Sequence, residues 1–170
     1  GNDPVAFLQR TSGSTGTPKA IQITHHGILH HIYGSAAHND YADTDVTLNW
    51  LPFDHVVPML TTHIKDCVLG IEQVQLTTAS VLADPLWWLE SMAAHRVTHS
   101  WAPNFAFQRV VDALAPLAEP PAWQLHSIRF LMNAGEQVLA PVVRAFQSAC
   151  APMGLRANAV QPAFGMAEAC

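Results

Sequence analysis

Apolar and polar positions along this chain change period every ten to fifteen residues. Val5 to Gln9 (VAFLQ) is a short apolar run that predicts a strand, and a hydroxyl-rich stretch, TSGSTGTPKA (Thr11 to Ala20), follows it. Helical spacing begins near Thr24, an N-cap residue type, and runs through HHGILHHIYGSAAH. Val46 to Leu51 reads as a buried strand, and Pro58 to Leu69 as a helix stopped by Gly70. Gln73 to Thr77 alternates like a strand, Ser80 to His95 is helical after Pro85, and Arg96 to Trp101 alternates again. Asn104 to Leu114 is amphipathic, Pro116 to Ala122 is a loop, Arg129 to Met132 a strand and Pro141 to Cys150 a helix. A last short strand is expected at Asn158 to Val160, before PAFGMAEAC.

Strand and helix alternate throughout, with no internal repeat and no low-complexity tract. The pattern predicts an α/β fold, a mostly parallel sheet with helices on both faces. The proline-rich loop is too short to separate domains, so residues 1–170 read as one unit.

Composition narrows the function. The chain is 49% hydrophobic but only 12% charged, about half the usual share of roughly 25%. So little charge suggests a piece that leans on neighbouring protein. A formal net charge of -5 argues against a nucleic-acid surface. No apolar run approaches the ~20 residues of a membrane span. The three cysteines, Cys67, Cys150 and Cys170, are far apart, which fits a reducing cytoplasm better than a disulfide framework.

The stretch TSGSTGTPKA carries the first chemistry. Glycine lets backbone approach a ligand closely, and successive amides in such a loop can cradle an anion. Hydroxyls of Thr11, Ser12, Ser14 and Thr15 add donors, and Lys19 adds a mobile positive charge. This is equipment for a polyphosphate, although the spacing is not that of the P-loop. Composition alone leaves a plain surface loop equally open.

The stretch resembles the phosphate-loop signature of the adenylate-forming enzymes. That superfamily includes acyl-CoA synthetases, adenylation domains of non-ribosomal peptide synthetases and fatty acyl-AMP ligases. Further blocks resemble it in the same order: NWLPFDHVV (Asn49 to Val57), SWAPNFAFQRV (Ser100 to Val110), FLMNAGEQV (Phe130 to Val138) and PAFGMAEAC (Pro162 to Cys170). The nearest resemblance is to fatty acyl-AMP ligase-like adenylation domains of polyketide and mixed polyketide–peptide synthases. It implies a fragment of the N-terminal core of such an enzyme, with the ribose-binding aspartate, hinge and mobile C-terminal domain beyond it. Such a piece is expected to bind nucleotide weakly and turn over little by itself.

The resemblance implies ATP, Mg²⁺ and a carboxylic acid as reactants. The acyl-adenylate would pass its acyl group to phosphopantetheine on a partner acyl or peptidyl carrier protein, within a larger cytoplasmic synthase. Thr11, Ser12, Gly13, Ser14, Thr15, Gly16 and Lys19 match the phosphate loop, and Glu168 matches the Mg²⁺-binding acid. Ala134, Gly135, Glu136, Phe164 and Gly165 match the adenine side, with Gly and Ala exchanged relative to the ligases' N-G-A-E and Phe164 standing where tyrosine is usual. Ala167 replaces a threonine that contacts the α-phosphate in many relatives, as it commonly does in fatty acyl-AMP ligases.

His55 matches an aromatic gate beside the carboxylate, so Lys19, His55 and Glu168 are the expected catalytic set. Phe53, Val56, Trp101, Asn104 and Phe105 are expected around the acyl group, with core packing as the other reading of Trp101, Asn104 and Phe105. In this register Val56 takes the position that binds an amino group in peptide synthetases, which implies a substrate without one. The alternative register aligns Phe53 and Asp54 with the F-D pair that holds an amino acid. An acyl-CoA ligase and a non-catalytic nucleotide-binding or scaffold module are the remaining alternatives. Elsewhere, His26 and His30 share a helical face where zinc is conceivable, but a histidine-rich exposed face is the plainer reading. Arg129 is expected to be a strand-end charge, and Trp87 and Trp88 to be core or interface residues.

Overall fold

The computed structural model describes residues 3–11 and 19–165. Strand β1 (Val5–Thr11) and strand β2 (Lys19–Thr24) form an antiparallel hairpin in which Thr11 pairs with Lys19. Strand β2 is absent from the elements expected above. Its apolar positions, Ile21 and Ile23, alternate over too few residues to stand out beside the loop, and pairing with β1 supplies what local pattern lacks. Helix α1 (His25–Asn39) follows at once. Its N-cap is Thr24, whose Oγ1 accepts from the Gly27 amide at 3.1 Å, and it ends at a left-handed Asp40.

The expected parallel sheet is present. It contains β3 (Val46–Asn49), β4 (Glu72–Gln75), β5 (His99–Ala102), β6 (Phe130–Asn133) and β7 (Val160–Pro162), in the order β4-β3-β5-β6-β7. Every neighbouring pair in it is parallel. From β3 the chain steps outward to β4, and from β5 it steps outward the other way to β6. The direction therefore reverses between β3 and β5, and open α/β sheets bind ligands beyond the carboxyl ends of their strands at such a reversal.

Helices α4 (Leu86–Ala94), α5 (Asn104–Leu114) and α6 (Ala140–Cys150) cover one face. Trp88, Phe107 and Phe146 meet there, with Trp88 edge-on to Phe107 at 5.5 Å between ring centroids. The Trp88 indole N–H donates to Ser100 Oγ at 3.1 Å, and that hydroxyl donates to Leu48 O at 2.8 Å. A fully buried ring thereby keeps its polar atom satisfied. Burying a large apolar side chain stabilises by about 1.5–3 kcal/mol, so this aromatic group is a principal anchor of the sheet.

On the opposite face a π-helical segment (Val57–Ile64) runs into α2 (Lys65–Leu69). The sequence predicts an ordinary helix here. Instead Thr61 Oγ1 donates to Val57 O at 2.6 Å, and the Lys65 amide reaches back to Leu60 O, five residues away. A hydroxyl that takes a carbonyl of the helix ladder favours such widening. Leu60 joins Ile23, Ile28 and Ile32 in a second, smaller core that fastens the hairpin and α1 to this segment.

Between Ser80 and His95 the helix is broken into α3 (Thr78–Ala83) and α4, because Pro85 cannot continue it. Strand β5 starts at His99 rather than Arg96, whose φ of 52° turns the chain away from α4.

Arg129 is more than a strand-end charge. Its Nη1 donates to Asp45 Oδ1 at 3.1 Å and to Asp40 O at 3.1 Å, and its Nη2 donates to Asn39 O at 2.8 Å. It therefore binds the end of α1 to the amino ends of the strands. Beside it, burial pushes the His99 imidazole down to about 3, although Asp45 opposes the shift. Asp45 itself is lowered: burial acts to raise it, but the Ala42 amide, His99, Thr98 and Arg129 outweigh that. Lys65 contacts Asp66, whose carboxyl burial pushes up to about 6, and Lys65 Nζ lies 4.5 Å from the centre of the Tyr41 ring. Among the described residues no helix is long and apolar enough to cross a membrane.

Candidate functional site

A cleft of about 240 Å³ opens at the reversal point. Its walls are the exit of β3 (Leu51, Pro52, Asp54, His55, Val57), the exit of β5 (Trp101, Ala102, Pro103) and the turn after β6 (Ala134, Gly135). Three sequence blocks, far apart in the chain, thus meet at one place. Among the described residues, the side chains lining it other than Asp54 and His55 are apolar, so it suits an apolar group held near a few polar atoms.

Two asparagines shape this rim. Asn49 closes β3 and is buried; its Nδ2 donates to Leu51 O at 3.0 Å and to Gln75 Oε1 at 3.0 Å, while its Oδ1 accepts from the Leu51 amide at 3.1 Å. These bonds fold the chain out of the sheet towards Pro52–His55. Asn133 is the last residue of β6 and fully buried, and its Nδ2 donates to Asn104 Oδ1 at 3.1 Å. Neither was anticipated as a site residue, yet VTLN and FLMN both end an apolar strand on asparagine, and that repetition was a readable signal.

His55 is exposed on the rim. Its Nδ1 accepts from the Val57 amide at 3.2 Å, which requires the neutral tautomer with its hydrogen on Nε2. Gly135 has a φ of 89°, a left-handed conformation that explains why glycine stands second in Ala134–Gly135 here. Phe164 and Gly165 follow β7; the Ala163 amide donates to Asn133 O at 2.9 Å, so this segment leaves the sheet beside the Ala134 turn. Phe164 is 89% exposed.

The other anticipated residues are more dispersed. Trp101 lines the cleft, half-buried. Val56 packs into the smaller core, and Phe53 lies exposed and edge-on to His63 at 5.5 Å. Asn104 is buried at the start of α5, Phe105 beside it is exposed, and the Glu136 carboxylate accepts from the Phe105 amide. Of the lining described, Val56, Phe53, Asn104, Phe105 and Glu136 form no part.

Lys19 is exposed at the first position of β2, directly opposite Thr11 at the end of β1. Ser12, Gly13, Ser14, Thr15, Gly16 and Glu168 lie outside the described residues. Thr11 and Lys19, which flank residues 12–18, pair with each other in the hairpin. Gln9, also in β1, donates through Nε2 to Asp54 O at 3.3 Å, so the strand that leads into the hydroxyl-rich run touches the cleft rim.

Among the described residues no group of three or more His, Cys, Asp or Glu is placed to hold a metal. His26 and His30 are exposed and hydrogen-bond to each other through Nε2 at 2.9 Å.

Comparison with known proteins gives consistent results. A family model described as "AMP-binding enzyme" matches residues 1–170. Aspulvinone E synthetase melA of Aspergillus terreus is 34% identical over 97% of this chain, which covers 18% of that protein. The medium-chain-fatty-acid–[acyl-carrier-protein] ligase JamA of Moorena producens is 33% identical over 99% of the chain and 28% of its own length. A solved adenylation domain of a keto acid-selecting NRPS module, bound to keto acyl adenylate, superposes with a TM-score of 0.90 at 33% identity, covering 98% of this chain and 30% of that one. The chain spans less than a third of each of these proteins.

Proposed function

Because the chain belongs to the AMP-binding enzyme family, we propose that it forms the acid-binding half of an adenylation site. There ATP activates an apolar carboxylic acid for transfer to a carrier-protein thiol. The observation that supports this reading most is the cleft at the sheet reversal, where His55, Trp101, Ala134 and Gly135 converge.

In the first step a carboxylate oxygen attacks the α-phosphorus of ATP. The bond to the bridging oxygen breaks, pyrophosphate leaves, and an acyl-adenylate remains. The acid's apolar part lies along Leu51, Trp101 and Pro103, and His55 Nε2–H faces the carboxylate end as a neutral donor. Lys19 and the hydroxyl-bearing run between the hairpin strands hold the leaving phosphates. Donors placed in advance where charge develops are the largest single source of catalysis in such reactions. In the second step the carrier's thiol loses its proton, its sulfur attacks the acyl carbon, and AMP leaves.

Glu168 and the phosphate oxygens would hold magnesium, since the run beside Lys19 offers hydroxyls, amides and an ammonium group. When bound, the ion neutralises triphosphate charge.

A second reading is favoured by Asp54, which shares the cleft with His55. A carboxylate there would pair with the ammonium group of an amino acid. Exchange of labelled pyrophosphate into ATP by the full-length protein separates the two. The first reading expects exchange with fatty, keto or hydroxy acids and none with the matching amino acids. Preference for an amino acid would replace it with the second, and ATP binding without any exchange would remove both.

A further inference from the structure

The turn after β6 and the start of α5 hold each other by exchanged side chains. Asn104 Oδ1 accepts from the Leu139 amide at 3.1 Å and from Asn133 Nδ2 at 3.1 Å. In return the Glu136 carboxylate accepts from the Phe105 amide at 2.6 Å. Each segment thus satisfies a backbone N–H of the other, and both N–H groups are ones that a helix leaves open. Phe105 is in the first turn of α5, whose N-cap, Pro103, makes no side-chain cap. Leu139 is the N-cap residue of α6, which likewise has no side-chain cap of its own. Asn104 is buried, so the loss of its oxygen leaves donors without water to replace it.

The clamp lies directly behind the cleft. Just before Asn104 come Trp101, Ala102 and Pro103, which form one wall; just before Glu136 come Ala134 and Gly135, which form another. Resting on the adenylation reading above, we propose that Asn104 and Glu136 are positioning residues. Their reciprocal bonds make the β5 and β6 walls one rigid body and so set the width of the acid cleft. Glu136 on this view serves the α5 terminus through its carboxylate, and any contact to adenine from this turn comes from backbone.

The test uses the full-length protein and four variants. Asn104→Leu and Glu136→Leu remove the acceptors; Asn104→Asp and Glu136→Gln keep an acceptor oxygen at each place. The apolar variants are expected to raise KM for the acid by about tenfold while kcat changes by less than about threefold, the pattern of a lost binding geometry. The conservative variants are expected to stay within about threefold of the parent in both constants, because the hydrogen-bond acceptor survives. Hydrogen exchange at the Phe105 and Leu139 amides, which needs no turnover, should speed up at least tenfold in the apolar variants alone. Unchanged KM values with only a lower melting temperature would overturn the proposal. So would conservative variants as impaired as the apolar ones, or unchanged amide exchange. Absence of pyrophosphate exchange in the parent would refute the adenylation reading instead, and amide exchange would still judge the clamp.

Discussion

The two ends of the parallel sheet use polar groups in opposite ways. At the amino ends, Asp45, His99, Arg129, Tyr41, Lys65 and Asp66 are crowded together, and their charges are spent on each other and on chain ends. At the carboxyl ends, the side chains of Asn49 and Asn104 bind backbone and Asn133 donates to Asn104, while Asp54 and His55 are left exposed on the rim of an apolar cleft. One end is buried and packed on itself; the other offers exposed polar groups and space. The contrast teaches that burial of charge here marks the scaffold, and the ligand site is marked by backbone bends that asparagines hold open.

This division can be broken most directly at Arg129. Arg129→Leu removes the guanidinium that pairs with a buried carboxylate and closes α1, so it should lower stability by about 3 kcal/mol. Thermal or denaturant unfolding would measure it, and the KM for the acid, taken well below the melting point, should not move. At the other end Lys19→Ala should leave stability within about 0.5 kcal/mol, since Lys19 is exposed. On the proposed function, in which Lys19 holds the leaving phosphates, its expected cost is about a hundredfold in kcat/KM, read by pyrophosphate exchange.

Acid sharpens the comparison further. His99 titrates near 3 in the folded protein against 6.5 in an unfolded chain, so the unfolded form takes up the proton first. Stability tied to His99 is therefore lost as pH falls from 6.5 towards 3. Asp45, lowered in the fold, loses stability in the same direction at the lower end. Asp66 works against both, gaining as pH falls through about 6 towards 3.8. His99→Gln should flatten the acid limb of the melting profile by an amount on the order of 1–2 kcal/mol. The smallest effect is expected at Trp101→Ala, which enlarges the cleft and should raise KM for an apolar acid about tenfold, or ~1.4 kcal/mol.

Much of this architecture was legible in residue order because its determinants are local. Asn104 to Leu114 appeared as an amphipathic helix, Thr24 as a cap, and Gly70, with φ of 72°, as a helix stop, each set by residues within a few positions. What escaped depends on distant partners. Strand β2 exists because β1 lies beside it, and Arg129 is a hub because Asn39, Asp40 and Asp45 arrive from ninety residues away or nearly so. The candidate site divides the same way. His55 and Trp101 were accessible through their sequence blocks, whereas the placement of Val56 in a separate core, and the bonds of Asn49, Asn104 and Glu136, follow from packing that no single block contains.

Gly135 shows how narrowly one position can be specified. Among the described residues, the Cβ of an L-residue placed there would meet no atom within 4 Å, so crowding by them does not exclude a side chain; the sign of φ does. Backbone sign, rather than side-chain volume on the L side, is therefore what selects glycine. L-alanine at this position should strain the turn and lower the melting temperature although it meets no neighbour.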